Sequence, residues 1–275
     1  MPGFDLYISS TVPDAAGVSS SAALESSVAL GLAELAGSGI DRKGLALAGR
    51  RAENEIAGAP TGVMDQMASL MATAGRALFL DCRSLEARQI PFAPAAQGIT
   101  VLVLNTMVQH ALADGRYGER RRACEEAACL LGVRALRDAS PGQVEASRAV
   151  LGEVRYRRAR HVVSDNERVL ETVQLLSDGS VTGVGAVLPA SHASLRDDFQ
   201  VSCAELDTVV EAAVAHGAFG ARMIGGGFGG SAIALLPDVQ AGQITRAVSA
   251  ACRDRGFREP AVFAVKPAAG ARRMD

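Results

Sequence analysis

The sequence has no apolar run long enough to cross a membrane, and its two signs of charge nearly cancel. The formal net charge is −2 over 275 residues, which argues against bulk binding to nucleic acid or to an anionic membrane. No stretch approaches the roughly 20 apolar residues of a transmembrane helix. The start, Met1 to Asp5, has no basic residues followed by an apolar core, so we expect no signal peptide and a cytoplasmic location.

Paired cysteines and clustered histidines are also missing. Because the cysteines are odd in number and scattered, we expect reduced, mostly buried thiols rather than a disulfide framework. They are Cys82, Cys124, Cys129, Cys203 and Cys252. The four histidines have no spacing typical of metal ligands. What remains is an ordinary globular composition, 48% hydrophobic and 21% charged, with length for one large domain or two modest ones.

The most informative stretch runs from Thr11 to Leu24. Small residues from Asp14 to Val18 lead into three serines and an Ala- and Leu-rich run, which predicts a loop followed by a helix. Unpaired backbone N–H groups at such a helix start favour an anion. The serines either cap the helix, the commoner situation, or bind phosphate or metal. The apolar stripe of this helix is predicted at Leu24, Val28, Leu32 and Leu35.

A second helix is predicted from Asp41 to Ala57, with Glu53 off the centre of its apolar stripe. That stripe comprises Leu45, Ala48, Ala52 and Ile56. The run from Gly58 to Gly62 breaks the helix, and Met64 to Met71 predicts another. Asp65 then lies in a first turn, where its carboxylate either complements the helix dipole or stands at the mouth of a site.

The rest of the chain mixes strands and helices. The helix predicted over residues 116–131 carries an arginine cluster, Arg120 to Arg122. Such a cluster is more typical of a solvated or ion-paired face than of a phosphate site. The basic run Arg155 to Arg160 is likewise expected at the surface, and Val162, Asn166, Val169, Val173 and Leu176 are expected on one helix face. Strands are predicted over residues 4–12, 77–82, 88–92, 99–104 and 261–265, and helices over 116–131, 155–176, 180–195, 203–215 and 239–255.

A glycine-rich run follows an apolar stretch near the C-terminus. Gly225, Gly227 and Gly230 satisfy the G-x-G-x-x-G spacing. A strand-like run follows instead of a helix, so the dinucleotide-binding interpretation fails. The pattern predicts strand, glycine loop, strand. So many glycines indicate either a loose hairpin or a close approach of the backbone to a ligand.

Four stretches together resemble the galactokinases, a branch of the GHMP small-molecule kinases. They are Val12 to Glu25, Ala52 to Gln66, Ser191 to Asp207 and Arg222 to Gly230. The resemblance runs nearly from end to end, and the Met-Asp-Gln and Gly-Gly-Gly-Phe-Gly-Gly runs favour this branch over mevalonate or homoserine kinases.

The resemblance implies that Pro13 to Ser21 is a phosphate-binding loop for ATP. Ser21 and Glu53 resemble the Mg²⁺ ligands of the family. One serine and one glutamate suit Mg²⁺, which takes few protein oxygens besides phosphate oxygens. The loop positions implied to bind phosphate are Pro13, Ala15, Gly17, Ser19, Ser20 and Ser21.

Asp65 resembles the catalytic aspartate beside the sugar C1 hydroxyl. A carboxylate there can accept the hydroxyl proton or orient the hydroxyl for in-line attack. Gly62 and Tyr117 match positions that contact the sugar. The glycine loop resembles the third family motif, which packs against the phosphate loop. Its matching positions are Gly225, Gly226, Gly227, Gly229 and Gly230.

The implied fold is α+β with two lobes. Residues 1–97 would form an incomplete N-terminal lobe like domain 2 of ribosomal protein S5, and residues 98–275 a ferredoxin-like C-terminal lobe, with nucleotide and sugar between them. The implied reaction is ATP + D-galactose → α-D-galactose 1-phosphate + ADP. We expect a monomer without nucleic-acid or membrane partners.

The first family motif, an arginine and a Gly-Glu-His-Thr-Asp run, is absent, and Ala15 replaces a phosphate-loop glycine. Because an arginine at a phosphoryl-transfer site contributes orders of magnitude in rate, we expect an N-terminally truncated chain with weak or no activity. Two alternatives stay open. One is an inactive relative that binds nucleotide or a partner. The other is a GHMP kinase for a related sugar such as N-acetylgalactosamine or galacturonate.

Overall fold

A computed structural model describes residues 3–13, 16–59, 61–108 and 115–274. The chain forms two compact units. Unit 1 comprises the chain up to Ala93 and again from Lys266 onward, and unit 2 runs from Pro94 to Val265. The sequence predicted the division between residues 97 and 98 and placed everything after it in the second lobe.

The last residues differ from that prediction because their backbone hydrogen-bonds into unit 1. The amide of Gly270 donates to the carbonyl of Ala72 at 2.8 Å, and the amide of Ala271 donates to Ser69 at 2.7 Å. Such backbone pairing depends on where the chain returns in space, which local sequence patterns do not report.

Unit 1 combines helices with one hairpin. Its elements are α1 (Ser20–Leu35), α2 (Arg42–Arg51), a π-helical turn (Ala52–Ile56), α3 (Met64–Met71), β1 (Arg76–Leu80) and β2 (Ala87–Pro91). The two strands pair antiparallel, which confirms the predicted hairpin. The helices enclose a small core of Leu45, Ala46, Val63, Met67 and Leu70.

The buried face of α1 is not the predicted leucine stripe. Leu24 and Leu35 are exposed, whereas Ala22 and Ser26 are buried. The predicted stripe is therefore wrong at both of these leucines. Small side chains on the buried face allow α1 to lie close to α2 and α3, where a leucine stripe would hold the backbones farther apart.

The predicted strand over residues 4–12 is also wrong. These residues form no strand, and the Tyr7 side chain is 92% exposed. A strand is stable only beside partners that take up its hydrogen bonds. In the described part of unit 1, β1 and β2 pair with each other and with no further strand.

Unit 2 contains an antiparallel sheet in the order β4-β5-β3-β6. Between β3 and β4 the chain passes through helices, β4 and β5 form a hairpin, and a short 3₁₀ turn and one α-helix separate β5 from β6. This βαββαβ order is ferredoxin-like, as predicted. The elements are β3 (Ile99–Asn105), α4 (Arg116–Leu130), α5 (Pro141–Ala146), α6 (Arg148–Ser177), α7 (Val181–Ser194), α8 (Ala204–Ala215), β4 (Gly220–Met223), β5 (Ser231–Pro237), α9 (Ala241–Asp254) and β6 (Ala261–Val265).

Helix α6 departs from its predicted burial pattern. Asn166 and Val169, expected on its apolar face, are exposed, and Arg158, expected at the surface, is buried. The helix contacts α4, α5 and α7, so more than one of its faces is covered. Gly152 has non-helical angles (φ 69°, ψ 161°) and separates the first turn of α6 from the rest of the helix. This break lies near residue 155, where the helix was predicted to begin.

The five cysteines lie outside disulfide bonds, in agreement with reduced thiols. Only Cys252 is buried, so the expectation of mostly buried thiols is wrong. Among the residues described, no helix is both long enough and apolar enough to cross a membrane.

Candidate functional site

The loop before α1 turns through left-handed backbone. Gly17 has φ 68° and Ser19, the residue before the helix, has φ 61°. The Ser19 side chain makes no capping hydrogen bond, so the capping interpretation is wrong for this serine. Ala15 lies outside the described residues. The first N–H groups of α1 therefore have no cap from Ser19 and can serve an anion.

Ser21, in the first turn of α1, meets Glu53 although 32 residues separate them. Its hydroxyl Oγ donates a hydrogen bond to Glu53 Oε1 at 2.8 Å. Glu53 is only 6% exposed, while Ser21 is exposed. The structure thus brings together the two residues that the sequence predicted as metal ligands.

Glu53 continues the buried face of α2, on which Leu45 and Gly49 lie at helical spacing. Helix α2 continues as the π-helical turn Ala52–Ile56, and a π-turn rotates the following side chains relative to an α-helix. Ile56, predicted in the apolar stripe, is 85% exposed. The predicted stripe is wrong at Ala48, Ala52 and Ile56, which are all exposed, and Glu53, predicted off its centre, is buried instead.

Gln66 holds this carboxylate from α3. Its Nε2 donates to Glu53 Oε2 at 2.9 Å and to Glu25 Oε2 at 2.9 Å. The Thr61 hydroxyl also donates to Glu53 Oε2, at 2.5 Å. Gly49 lets Gln66 approach, because a Cβ there would lie 3.2 Å from Gln66 Cγ. Sequence reasoning missed Glu25, Thr61 and Gln66 as site residues, although Gln66 directly follows Asp65.

Two carboxylates share that one amide group. Burial raises the pKa of Glu25, the hydrogen bond from Gln66 lowers it, and the charge of Glu53 raises it further. The pKa of Glu25 lies above its usual value in sum. The carboxylates of Glu25 and Glu53 therefore place negative charge next to Ser21, as expected near a bound cation.

Asp65 lies in the first turn of α3, as predicted. It is half-buried, and its side chain has no hydrogen bond or ion pair to any residue that the structure describes. Gly62 is exposed in the loop just before α3. Asp65 is thus held by its helix alone, with its carboxylate available to a ligand.

The glycine loop of unit 2 joins β4 to β5. Positive φ angles occur at Gly225, Gly227, Gly229 and Gly230, and also at Phe228 (φ 61°). A Cβ on Gly227 would lie closer than 3.0 Å to the carbonyl oxygen of Val201. The amide of Phe228 donates to that same carbonyl at 2.6 Å. The loop is tightly packed, so the loose-hairpin interpretation is wrong; Gly226 completes the run without a positive φ.

The far end of the loop is held by the chain that leaves β3. The amide of Gly230 donates to the Val108 carbonyl at 3.0 Å, and Thr106 donates to the Gly230 carbonyl from its amide (2.9 Å) and its hydroxyl (2.8 Å). Backbone packing within unit 2 thus accounts for the glycine at Gly227, and backbone hydrogen bonds hold Gly230 in place.

Tyr117 lies in the first turn of α4 and is 37% exposed. Arg116 and Arg120 on the same turns lie over the Phe228 ring, at 4.3 and 5.6 Å from its centre. The Arg120 side chain is only 12% exposed and pairs with Glu119 at 3.1 Å, which agrees with the ion-paired alternative of the prediction and not with the solvated one. The start of α4 and the glycine loop are therefore neighbours.

The chain matches two protein-family models. The model for the GHMP kinases N terminal domain matches residues 2–73, and that for the GHMP kinases C terminal matches residues 172–254. The first contains Ser21, Glu53 and Asp65, and the second contains the glycine loop.

Curated relatives and a solved structure give a narrower comparison. The galactokinase of Streptomyces coelicolor is 51% identical over 277 residues, which cover 100% of this chain and 71% of the relative. The galactokinase of Mycobacterium tuberculosis is 40% identical, with 98% and 75% covered. The crystal structure of Lactococcus lactis galactokinase complexed with galactose matches with a TM-score of 0.89 at 32% identity, over 94% of this chain and 68% of that one.

Proposed function

The chain belongs to the galactokinases of the GHMP kinase family, and from this we propose that it transfers the γ-phosphoryl group of ATP to D-galactose. The products are α-D-galactose 1-phosphate and ADP. The observation that carries the proposal within the molecule is the Ser21–Glu53 hydrogen bond of 2.8 Å, because it joins a serine of the phosphate loop to a buried carboxylate. Phosphoryl transfer depends on such positioned charges more than on covalent chemistry.

The phosphate groups bind at the start of α1. The loop residues proposed for this are Pro13, Ala15, Gly17, Ser19, Ser20 and Ser21. Left-handed backbone at Gly17 and Ser19 and the helix N–H groups beyond them form a nest for anionic oxygens.

The residues present fit Mg²⁺, since the donors are one hydroxyl and one carboxylate and Mg²⁺ prefers oxygen ligands. Ser21 and Glu53 would hold the ion together with phosphate oxygens. When bound, Mg²⁺ neutralises charge that develops on the phosphate oxygens. Thr61 and Gln66 both donate to Glu53 Oε2, which fixes the carboxylate and leaves Oε1 directed at Ser21.

Asp65 acts on the acceptor sugar. Its carboxylate orients the C1 hydroxyl of galactose and accepts its proton as the oxygen attacks the γ-phosphorus. The bond from that phosphorus to the bridging oxygen of ADP breaks, and ADP leaves with the electron pair. Gly62 and Tyr117 are proposed to contact the sugar, and the glycine loop to serve the site as the third family motif. The monomeric state and the cytoplasmic location stay predictions.

The proposal is tested on the full chain with Mg-ATP and D-galactose, by measuring ADP release and the sugar phosphate formed. We expect the weak turnover predicted for a chain without the first family motif, and Asp65→Asn should reduce it by about 100-fold or more, since general acid–base groups contribute roughly 10²–10⁴. The control is Asp254→Asn, an exposed carboxylate at the end of α9. Full activity of Asp65→Asn would contradict the role of Asp65.

A sugar panel separates the alternatives. Preference for N-acetylgalactosamine or galacturonate over galactose would replace the proposed substrate within the same reaction. ATP binding without phosphorylation of any sugar would identify an inactive relative and overturn the proposed function.

A further inference from the structure

The segment that follows α7 is held by arginines from two other helices. Arg120 Nε donates to the Phe199 carbonyl at 3.0 Å, and its Nη2 donates to the Gln200 carbonyl at 3.0 Å. Arg158 Nη1 donates to the Asp198 carbonyl, one residue earlier. Charged donors make stronger hydrogen bonds than neutral ones. Consecutive carbonyl groups of this segment are thereby fixed in direction.

Gln200 and Val201 connect this segment to the glycine loop. Gln200 has φ 56°, a left-handed angle that turns the chain into Val201. The Val201 carbonyl accepts the hydrogen bond from the Phe228 amide and lies where a side chain on Gly227 would be. The position of the loop tip therefore depends on the segment that Arg120 and Arg158 hold.

Arg120 also contacts the loop tip directly. Its guanidinium lies 5.6 Å from the centre of the Phe228 ring, and that of Arg116 lies 4.3 Å away. A cation over an aromatic face is attracted by the ring. Phe228 itself is buried in the sheet-side core of unit 2. Arg120 thus binds both the backbone that supports the loop and the ring at its tip.

We propose that Arg120 is a positioning residue that fixes the glycine loop against the first turn of α4, where Tyr117 lies, without contacting the substrates. The inference rests on the proposed function, since it concerns the loop and the tyrosine that this function uses. The contacts of Arg120 differ from those of an ordinary ion pair. The carboxylate of Glu119, which Arg120 also contacts, is 60% exposed, whereas the other donors of Arg120 reach carbonyl groups.

The chemistry of arginine is needed for this arrangement. Its planar fork donates to two carbonyl groups at once, while lysine presents one compact ammonium group. Arg120→Lys therefore keeps the charge and loses the paired contact, and Arg120→Met loses both. Arg121 provides a matched control, because it lies on the same helix and pairs with Glu125 at 2.9 Å in an exposed position.

The first experiment measures amide hydrogen exchange in the full chain without ligand. In Arg120→Met we expect faster exchange at the Phe228 amide and the neighbouring loop, with the central strand β3 unchanged. Arg120→Lys is expected to give an intermediate increase, and Arg121→Met none. Unchanged exchange at Phe228, or an equal increase throughout unit 2, would overturn the proposal. If Arg120→Met does not fold, the lysine variant decides.

The second experiment measures phosphoryl transfer as a double-mutant cycle with Phe228→Leu. We expect each single variant to lower kcat about 10- to 100-fold, as for displaced catalytic geometry, with a smaller effect on KM for galactose. The double variant should be less impaired than the product of the two effects, because both act through the same loop. Multiplicative effects would show that Arg120 does not act through Phe228. A wild-type chain without turnover would overturn the proposed function, and hydrogen exchange alone would then decide the positioning role.

Discussion

At the scale of single residues, one amide group organises the charged cluster of unit 1. Gln66 is 1% exposed, and its Nε2 donates to Glu25 and to Glu53. Its Oε1 has no partner among the described residues. Buried polar atoms are normally paired. The unpaired Oε1 therefore indicates that the two hydrogen bonds donated by Nε2 orient the Gln66 side chain. The side chain that follows Asp65 thus supports the carboxylate proposed to bind Mg²⁺.

We predict that Gln66→Met weakens Mg²⁺ binding. The substitution preserves the length of the side chain but removes the donor to Glu53, and loss of a residue that orients a metal ligand typically costs about 10- to 100-fold in affinity. Mn²⁺ binding by calorimetry in the presence of ADP measures this without turnover. Gln174→Met is the control, since Gln174 is exposed and its side chain hydrogen-bonds to Asp178. Equal metal affinities in both variants would argue against the role of Gln66.

At the scale of elements, the glycine loop between β4 and β5 is shaped by the packing of unit 2 itself. Gly227 combines a positive φ of 84° with a backbone neighbour where a Cβ would be. The first property disfavours any side chain, and the second leaves no space for one. The loop conformation is thus determined by its contacts with the Val201 segment as well as by its composition.

We predict that Gly227→Ala destabilises unit 2 more than Gly256→Ala. Both glycines have positive φ, 84° and 73°, but a Cβ on Gly256 would meet nothing within 4 Å. Left-handed backbone costs a residue with a side chain roughly 1–2 kcal/mol, and overpacking adds about 1–3 kcal/mol at Gly227. Urea unfolding of each variant gives the two free energies. Similar losses of unfolding free energy in the two variants would show that the glycine loop shifts to accommodate the added methyl group.

The π-helical turn Ala52–Ile56 is a second element with a local consequence. Glu53 is buried there and Ile56 is exposed. The buried face of the preceding helix runs through Leu45 and Gly49 to Glu53, and not through Ala52 as the sequence predicted. Such turns occur often at functional sites. The carboxylate of the candidate site is thus the last buried residue of this helix face.

At the scale of the whole molecule, stability should depend on a buried histidine of α6. His161 is 6% exposed, hydrogen-bonds through Nδ1 with Ser194 Oγ at 2.9 Å, and stacks on Phe199 at 4.5 Å. Burial lowers the pKa of His161 to about 4, with the charge of Asp165 opposing and that of Arg222 adding to the shift. The folded protein thus holds this ring neutral.

We predict that unfolding becomes easier as the pH falls from about 6.5 towards 4. Below the unfolded-state pKa, the His161 ring binds a proton in the unfolded chain but stays neutral in the folded chain. The stability present above pH 6.5 is then lost as the pH falls, by on the order of 3 kcal/mol. Urea unfolding across this range measures it, and His161→Gln should flatten the profile. The exposed His216→Gln is the control; a parallel profile for His161→Gln would assign the pH dependence to other groups.

The sequence by itself determined the local elements and the family. The hairpin β1–β2, the start of α3 with Asp65, the strand–loop–strand around Gly225 to Gly230 and the resemblance to galactokinases all follow from short-range patterns. Side-chain periodicity, turn residues and contiguous motifs report on neighbours along the chain. The ferredoxin-like order of unit 2 followed from the resemblance.

Only the tertiary structure decided which side chains meet. The burial of Glu53, its hydrogen bonds from Ser21 and Gln66, and the contacts of Arg120 join residues far apart in the chain. The leucine stripe of α1 and the strand over residues 4–12 were wrong for the same reason. Burial and strand pairing depend on the surfaces that neighbouring elements present, and these exist only once the chain has folded.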